Sequence, residues 1–208
     1  MAPGPTGQHP YVDNLIRLSK VPAVTISEIR GRVRGAGSEF VLATDVRFAG
    51  DKAIVGQFEV GVGYVPGGGA MARLARLVGR GRAAEILLGG DDLSAELAER
   101  YGYVNRVLPD AGLSVFVDVF ARRIAGFDKE AIVAIKALLD LASLPPDDEF
   151  RPGYAAFLRS SGRPKVGATV RALFDAGLQK AGGVEIDLGR AIGELSCGVD
   201  RSRPDPPR

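Results

Sequence analysis

Ile29-Arg-Gly-Arg-Val-Arg-Gly-Ala-Gly-Ser-Glu-Phe-Val-Leu-Ala-Thr-Asp-Val-Arg-Phe-Ala49 passes through three local patterns in a short span. The β-type residues around Val33 run into Gly35-Ala36-Gly37, where glycine permits a tight backbone. Ser38 to Ala43 then reads as a helix, and Glu39 falls in its first turn, where the helix dipole favours negative charge. Val46 to Ala49 alternates as a short strand. A glycine turn feeding a helix exposes backbone N–H groups at the positive end of that helix. Here Ala36 and Gly37 supply them, and such groups stabilise an anion or a developing oxyanion. A second carboxylate follows 20 residues after Glu39, in Gly56-Gln57-Phe58-Glu59. Taken alone, these residues allow two readings. The carboxylates are an acid–base pair, or Glu39 is a helix-start carboxylate and Glu59 a solvated loop acid.

Upstream, Tyr11, Val12, Leu15, Ile16 and Leu18 suit a short amphipathic helix that Pro22 stops. Val24-Thr25-Ile26 opens a β-type run that continues towards Val33. Residues 1–10, rich in Pro and Gly and holding His9, read as a flexible leader. Downstream, Gly50-Asp51-Lys52 is turn-like and Ala53 to Gly56 a strand. A glycine-dense loop follows, with Gly61, Gly63 and Pro66-Gly67-Gly68-Gly69. Leu74, Leu77 and Val78 mark one helix face, Ala83–Leu88 and Ser94–Tyr101 two more helices, and Val104–Val107 a strand. Beyond Asp110 the pattern is helical, at about 113–125, 128–142, 147–160 and 165–180. Residues 11–110 therefore read as an α/β core and 111–195 as a helical C-terminal region. Residues 196–208 read as a flexible tail.

The 208 residues are enough for one well-packed domain. With 46% hydrophobic and 25% charged residues the chain matches an ordinary globular protein. No apolar run approaches the roughly 18 residues of a membrane span. The opening MAPGPTGQHP lacks a basic start and an apolar core, so a cytoplasmic location is expected. A net charge of +2 lacks the concentrated basic face that nucleic acid requires. One cysteine, Cys197, and one histidine, His9, cannot build a Cys-cluster metal site or a multi-histidine zinc site. With the histidine in the leader, acid–base chemistry falls to carboxylates, lysine or tyrosine.

The segment Ile29–Ala49 resembles the signature of the crotonase (enoyl-CoA hydratase/isomerase) superfamily, NG-x-A-x-GGG-x-E-L-A-L-x-CD-x-R-x-A. Asp51-Lys-Ala-Ile-Val-Gly-Gln-Phe-Glu59 resembles the family's A-x-FGQPE, and Gly61-Val-Gly-Tyr-Val-Pro-Gly-Gly-Gly69 its G-x-x-PG-x-GG. Arg73-Leu-Ala-Arg-Leu-Val-Gly79 is similar to RLPRLVG, and Ala98-Glu-Arg-Tyr-Gly-Tyr-Val-Asn-Arg-Val107 to A-x-x-x-GLVN-x-V. The resemblance implies an α/β fold, a crotonase-like superhelix of stacked ββα turns with a helical C-terminal region. It also implies acyl-CoA thioester substrates, no metal and no separate cofactor, coenzyme A being part of the substrate. No nucleic-acid or membrane partner is expected. The expected assembly is a homo-oligomer, a trimer or hexamer.

By position the resemblance implies that Glu39 and Glu59 are the two catalytic glutamates. The Ala36 N–H is one of two oxyanion donors, and the Gly67 N–H helps hold the attacking water. Gly35, Gly37, Pro66 and Met71 line the substrate. Two glutamates favour enoyl-CoA hydratase chemistry over isomerisation, which usually needs one acid–base group.

The chain departs from the family at Ala36, usually glycine, at Phe58, usually proline, and at Ala70-Met71-Ala72, usually Gly-Thr-Gln. A backbone donor survives at Ala36 where φ is not positive. The family also places several strands and the second oxyanion donor before the equivalent of Val24, and no such segment is expected here. That keeps a second reading open, a non-catalytic subunit packing against a complete partner, with a sheet edge exposed. Arg30, Arg32 and Arg34 alternate, so they would share one strand face. That face would meet CoA phosphates, or be ion-paired or solvated.

Overall fold

A computed structural model describes residues 2–197, with Ser196 and Cys197 described in backbone only. The tail expected over 196–208 therefore falls almost wholly outside the described residues, as does the Cys197 thiol.

Helix α1 (Pro10–Ser19) starts with proline at its first position, where no N–H is needed. It turns Val12, Leu15, Ile16 and Ser19 inward. Two β-β-α units follow. Strands β1 (Ile26–Ile29) and β2 (Arg32–Arg34) lead to α2 (Ala36–Val41); β3 (Val46–Gly50) and β4 (Ile54–Gly56) lead to α3 (Glu59–Val62). The second unit stacks on the first in parallel, with Ile29 beside Ala49 and Val33 beside Val55. After α4 (Ala70–Leu77) and α5 (Arg80–Gly89), β5 (Asp92–Ser94) pairs antiparallel with β4. After α6 (Ala95–Tyr101), β6 (Arg106–Leu108) extends the first layer. The result is two three-stranded sheets, β1-β3-β6 and β2-β4-β5, the stacked superhelix expected from the sequence.

Val55, Leu74, Ile86, Leu93 and Val104 fill the core between the turns. Each contributes about 1.5–3 kcal/mol by leaving water. The remaining helices are α7 (Asp110–Ala125), α8 (Lys129–Ser143), α9 (Phe150–Ser161), α10 (Pro164–Asp175) and α11 (Leu188–Cys197).

Four local expectations are corrected. The β-type run from Val24 to Val33 is two strands in different sheets, because Gly31 at φ 66° turns the chain. Arg30 consequently leaves the face that Arg32 and Arg34 share on β2. Arg30 donates to the Asp110 carbonyl (3.1 Å) and Ser114 Oγ (2.9 Å), whereas Arg32 reaches the Ile186 carbonyl (3.0 Å). Arg34 pairs with Asp92 and Glu185. The helix expected at 165–180 stops at Asp175, where Gly177 and Gln179 take positive φ. That expected at 147–160 is a 3-10 turn, Asp147–Glu149, running into α9.

The leader, expected to be flexible, is tied down. The Thr6 N–H donates to Asp13 Oδ1 (2.8 Å), Gln8 is buried and donates to the Asp147 carbonyl (3.0 Å), and His9 stacks on Tyr154. His9 also caps α1, its Nδ1 accepting the Tyr11 N–H.

Candidate active site

Gly35 opens α2 at φ 53° and ψ −122°, a conformation that suits glycine. A Cβ there would also come within 3.0 Å of the Phe58 ring and 3.1 Å of Glu59 Oε1. That glycine places the exposed residues Ala36 and Gly37 at the start of α2, where their N–H groups have no intrahelical acceptor. Ala36 itself has no positive φ, so alanine is tolerated in place of the usual glycine.

One turn further in, Glu39 is 2% exposed, and its carboxylate lies at the start of α4. Its Oε1 accepts the Gly68 N–H (2.6 Å) and the Ala70 N–H (3.2 Å); its Oε2 accepts the Tyr11 hydroxyl (3.2 Å). Glu39 thus does for α4 what a capping side chain does, satisfying orphan donors at the positive helix end. Burial still raises its pKa. The two backbone donors, Tyr11 and the Arg73 charge all work against that rise.

Glu59, at the first position of α3, is 4% exposed and has fewer donors. With the Gln57 amide oriented to satisfy both neighbours, its nitrogen donates to the two Glu59 oxygens (3.1 and 2.8 Å). Its carbonyl then accepts Ser38 Oγ (2.8 Å). Ser38 is itself 2.5 Å from the Tyr103 hydroxyl, so a buried polar chain runs from Tyr103 to Glu59. Burial, with the Glu39 charge adding to it, pushes Glu59 up to about 8. Burial thus raises both carboxyls, and their donors differ: Glu39 sits among two backbone N–H groups and a phenol, Glu59 against one side-chain amide. The solvated-acid reading of Glu59 does not hold.

Arg73 is buried, donating to Ser19 Oγ (3.1 Å) and the Leu15 carbonyl (3.2 Å) and lying over the Phe150 ring. Burial lowers its pKa to about 10, which leaves it cationic at neutral pH. The loop carrying Pro66 and Gly67 runs against α9. Pro66 is buried, and a Cβ on Gly67 would meet the Phe157 ring at 2.9 Å. The loop N–H that reaches Glu39 is that of Gly68, one residue beyond Gly67. Met71 faces Gly153 of α9, and Gly37 faces Val33. Glu39, Glu59, Gly35 and Ala36 therefore meet at one place, while Gly67, Pro66 and Met71 lie along its α9 side.

Three residues of the site, Tyr11, Ser38 and Gln57, were not singled out from sequence. Ser38 and Gln57 flank the two glutamates in the quoted motifs; Tyr11 gives no local signal. A surface groove of about 510 Å³ lies under α8 between Leu42, Ile132 and Leu139, and neither glutamate lines it. Among the described residues no group of three or more His, Cys, Asp or Glu is placed to hold a metal ion, and no helix is long and apolar enough to cross a membrane.

Residues 5–149 match the family model described as Enoyl-CoA hydratase/isomerase. The chain is 34% identical over 119 residues to "Probable enoyl-CoA hydratase, mitochondrial" of Dictyostelium discoideum, covering 57% of this chain and 43% of that protein. It is 31% identical over 147 residues to "Probable enoyl-CoA hydratase echA17" of Mycobacterium avium, covering 70% and 57%. The chain thus spans about half the length of the curated relatives it matches. Among solved structures, the "putative enoyl-CoA hydratase" of Streptomyces avermitilis superposes with a TM-score of 0.88 at 48% identity, covering 92% of this chain and 69% of that one.

Proposed function

The chain belongs to the enoyl-CoA hydratase/isomerase family, and on that premise we propose that it hydrates a 2-enoyl-CoA thioester. The observation that carries this reading is the unequal pair of buried carboxyls. Glu39 accepts hydrogen bonds from Gly68, Ala70 and Tyr11, whereas Glu59 faces the Gln57 amide, and burial raises the pKa of both.

In the proposed step the Glu39 carboxylate takes a proton from water, and the oxygen of that water bonds to Cβ of the substrate. The π electrons of the double bond move towards the thioester oxygen, where the exposed Ala36 N–H stabilises the enolate. Glu59 then delivers its proton to Cα, giving the 3-hydroxyacyl thioester with all atoms balanced. The Gly67 N–H helps hold the water; Gly35, Gly37, Pro66 and Met71 bound the acyl thioester. Coenzyme A enters as part of the substrate, and no separate cofactor is invoked. We further propose a cytoplasmic homo-oligomer, a trimer or hexamer, supported by the exposed apolar side chains on α7 and α8.

The test follows the enoyl-thioester absorbance of a short 2-enoyl-CoA on adding the chain. Turnover is expected, with Glu39→Gln and Glu59→Gln each losing about 10²–10⁴-fold. Activity on a 3-enoyl-CoA that survives Glu39→Gln, without hydration, would instead identify an isomerase. Inertness towards both substrates would leave a non-catalytic subunit.

A further inference from the structure

We propose that Tyr11 is a positioning residue for Glu39: its phenol holds the carboxylate oxygen that the backbone leaves for chemistry and keeps that side chain able to accept a proton. The inference rests on the acid–base reading of Glu39 above and deepens it.

The geometry divides the carboxylate in two. Oε1 is committed to the Gly68 and Ala70 N–H groups, which fix the side chain at the start of α4. Oε2 faces the Tyr11 hydroxyl at 3.2 Å, and the same hydroxyl lies 3.3 Å from the Ala36 carbonyl. A phenol has one proton to give to these two acceptors. Given to Oε2, it favours the ionised carboxylate. When Oε2 takes a proton from water, the phenol turns to the Ala36 carbonyl, so its proton keeps an acceptor. Tyr11 therefore connects the proposed base to the residue that offers the oxyanion N–H.

The ring is held for this. It packs on the buried cluster of Val12, Ile16 and Phe150, and α1 is capped directly before it by His9. Gly68 leaves the room it needs, since a Cβ there would come within 2.7 Å of Tyr11 Cε1. The titratable and charged groups around Glu39 are Tyr11 on α1, Glu59 on α3, Tyr64 after it, Arg73 on α4 and Tyr103 after α6. Among these, the Tyr11 side chain is the one that bonds to the Glu39 carboxylate.

The experiment titrates the Glu39 carboxyl directly in the full chain labelled with ¹³C-glutamate, the resonance being identified by its absence in Glu39→Gln. In Tyr11→Phe its midpoint is expected to rise by about one pH unit. Tyr64→Phe should not move it. Replacing Tyr11 with 3-fluorotyrosine, a stronger donor of nearly the same shape, should lower the midpoint and serves if the phenylalanine variant folds poorly. An unmoved Glu39 midpoint in Tyr11→Phe or in the fluorinated protein overturns the role of Tyr11. With a 2-enoyl-CoA as substrate, the acid limb of kcat/KM should shift by the same amount in Tyr11→Phe. A parent chain that hydrates nothing overturns the proposed function, while the titration still decides on Tyr11.

Discussion

The Glu59 carboxyl, raised by burial from 4.5 to about 8, links folding to pH with a definite sign. The folded state holds this proton more tightly than the unfolded chain does. Its contribution to stability is therefore full below about pH 4.5 and lost as pH rises towards about 8. Urea unfolding should show stability declining by a few kcal/mol across that window, and Glu59→Gln should flatten the decline. A parent protein equally stable at pH 5 and pH 8 would contradict the raised value. At this scale the sequence exposed Glu39 and Glu59 through the spacing of their motifs, together with the glycine turn that opens α2. It hid Tyr11, whose partner lies 28 residues away on another element. The low exposure of the glutamates was hidden too, because what packs on Glu39 comes from α1 and the start of α4, distant in sequence.

Among the elements, the β2-β4-β5 layer is tied to the C-terminal segment by two arginines, Arg32 at the Ile186 carbonyl and Arg34 beside it. Arg34 forks onto both carboxylate oxygens of Asp92 (2.6 and 2.5 Å) and reaches Glu185 Oε1 (2.9 Å) and the Glu185 carbonyl (2.8 Å). Its side chain is 5% exposed, so this is a sheltered ion pair and not a surface one. Arg34→Met leaves two carboxylates without their cation and should cost about 3 kcal/mol by urea unfolding. Arg34→Lys should recover little, since a point charge cannot replace the planar fork.

Periodicity disclosed most helices because apolar faces persist over several turns. It missed β5, a strand of 3 residues, which exists through its pairing with β4. It also joined β1 to β2, because β-branched residues continue on both sides of Gly31 and only the backbone turn there separates the layers.

For the molecule as a whole, α7 and α8 present a run of apolar side chains to water. They include Val115, Val119, Ile135, Leu138 and Leu141, the last 84% exposed. Exposed apolar side chains gathered on two helices suit an interaction surface, and a second copy of the chain is the expected occupant. Sedimentation should show an oligomer, with Leu138→Lys combined with Leu141→Lys shifting it to monomer while far-UV circular dichroism stays unchanged. A parent chain that sediments as a monomer would remove the homo-oligomer from the proposal.

The glycine-rich loop, finally, is moulded by helices distant in sequence. A Cβ at Gly61 would meet Ile192, at Gly63 Val166, at Gly67 Phe157 and at Gly69 Phe150. Each gap left by a missing side chain on the loop is filled by a present one on α9, α10 or α11. Evolution can therefore alter Gly61 and Gly67 only in matched pairs. Across descendants of this chain, a bulkier residue at 67 should travel with a smaller one at 157, and one at 61 with a smaller one at 192, while Gly63 and Gly69, at φ 93° and 97°, should stay glycine.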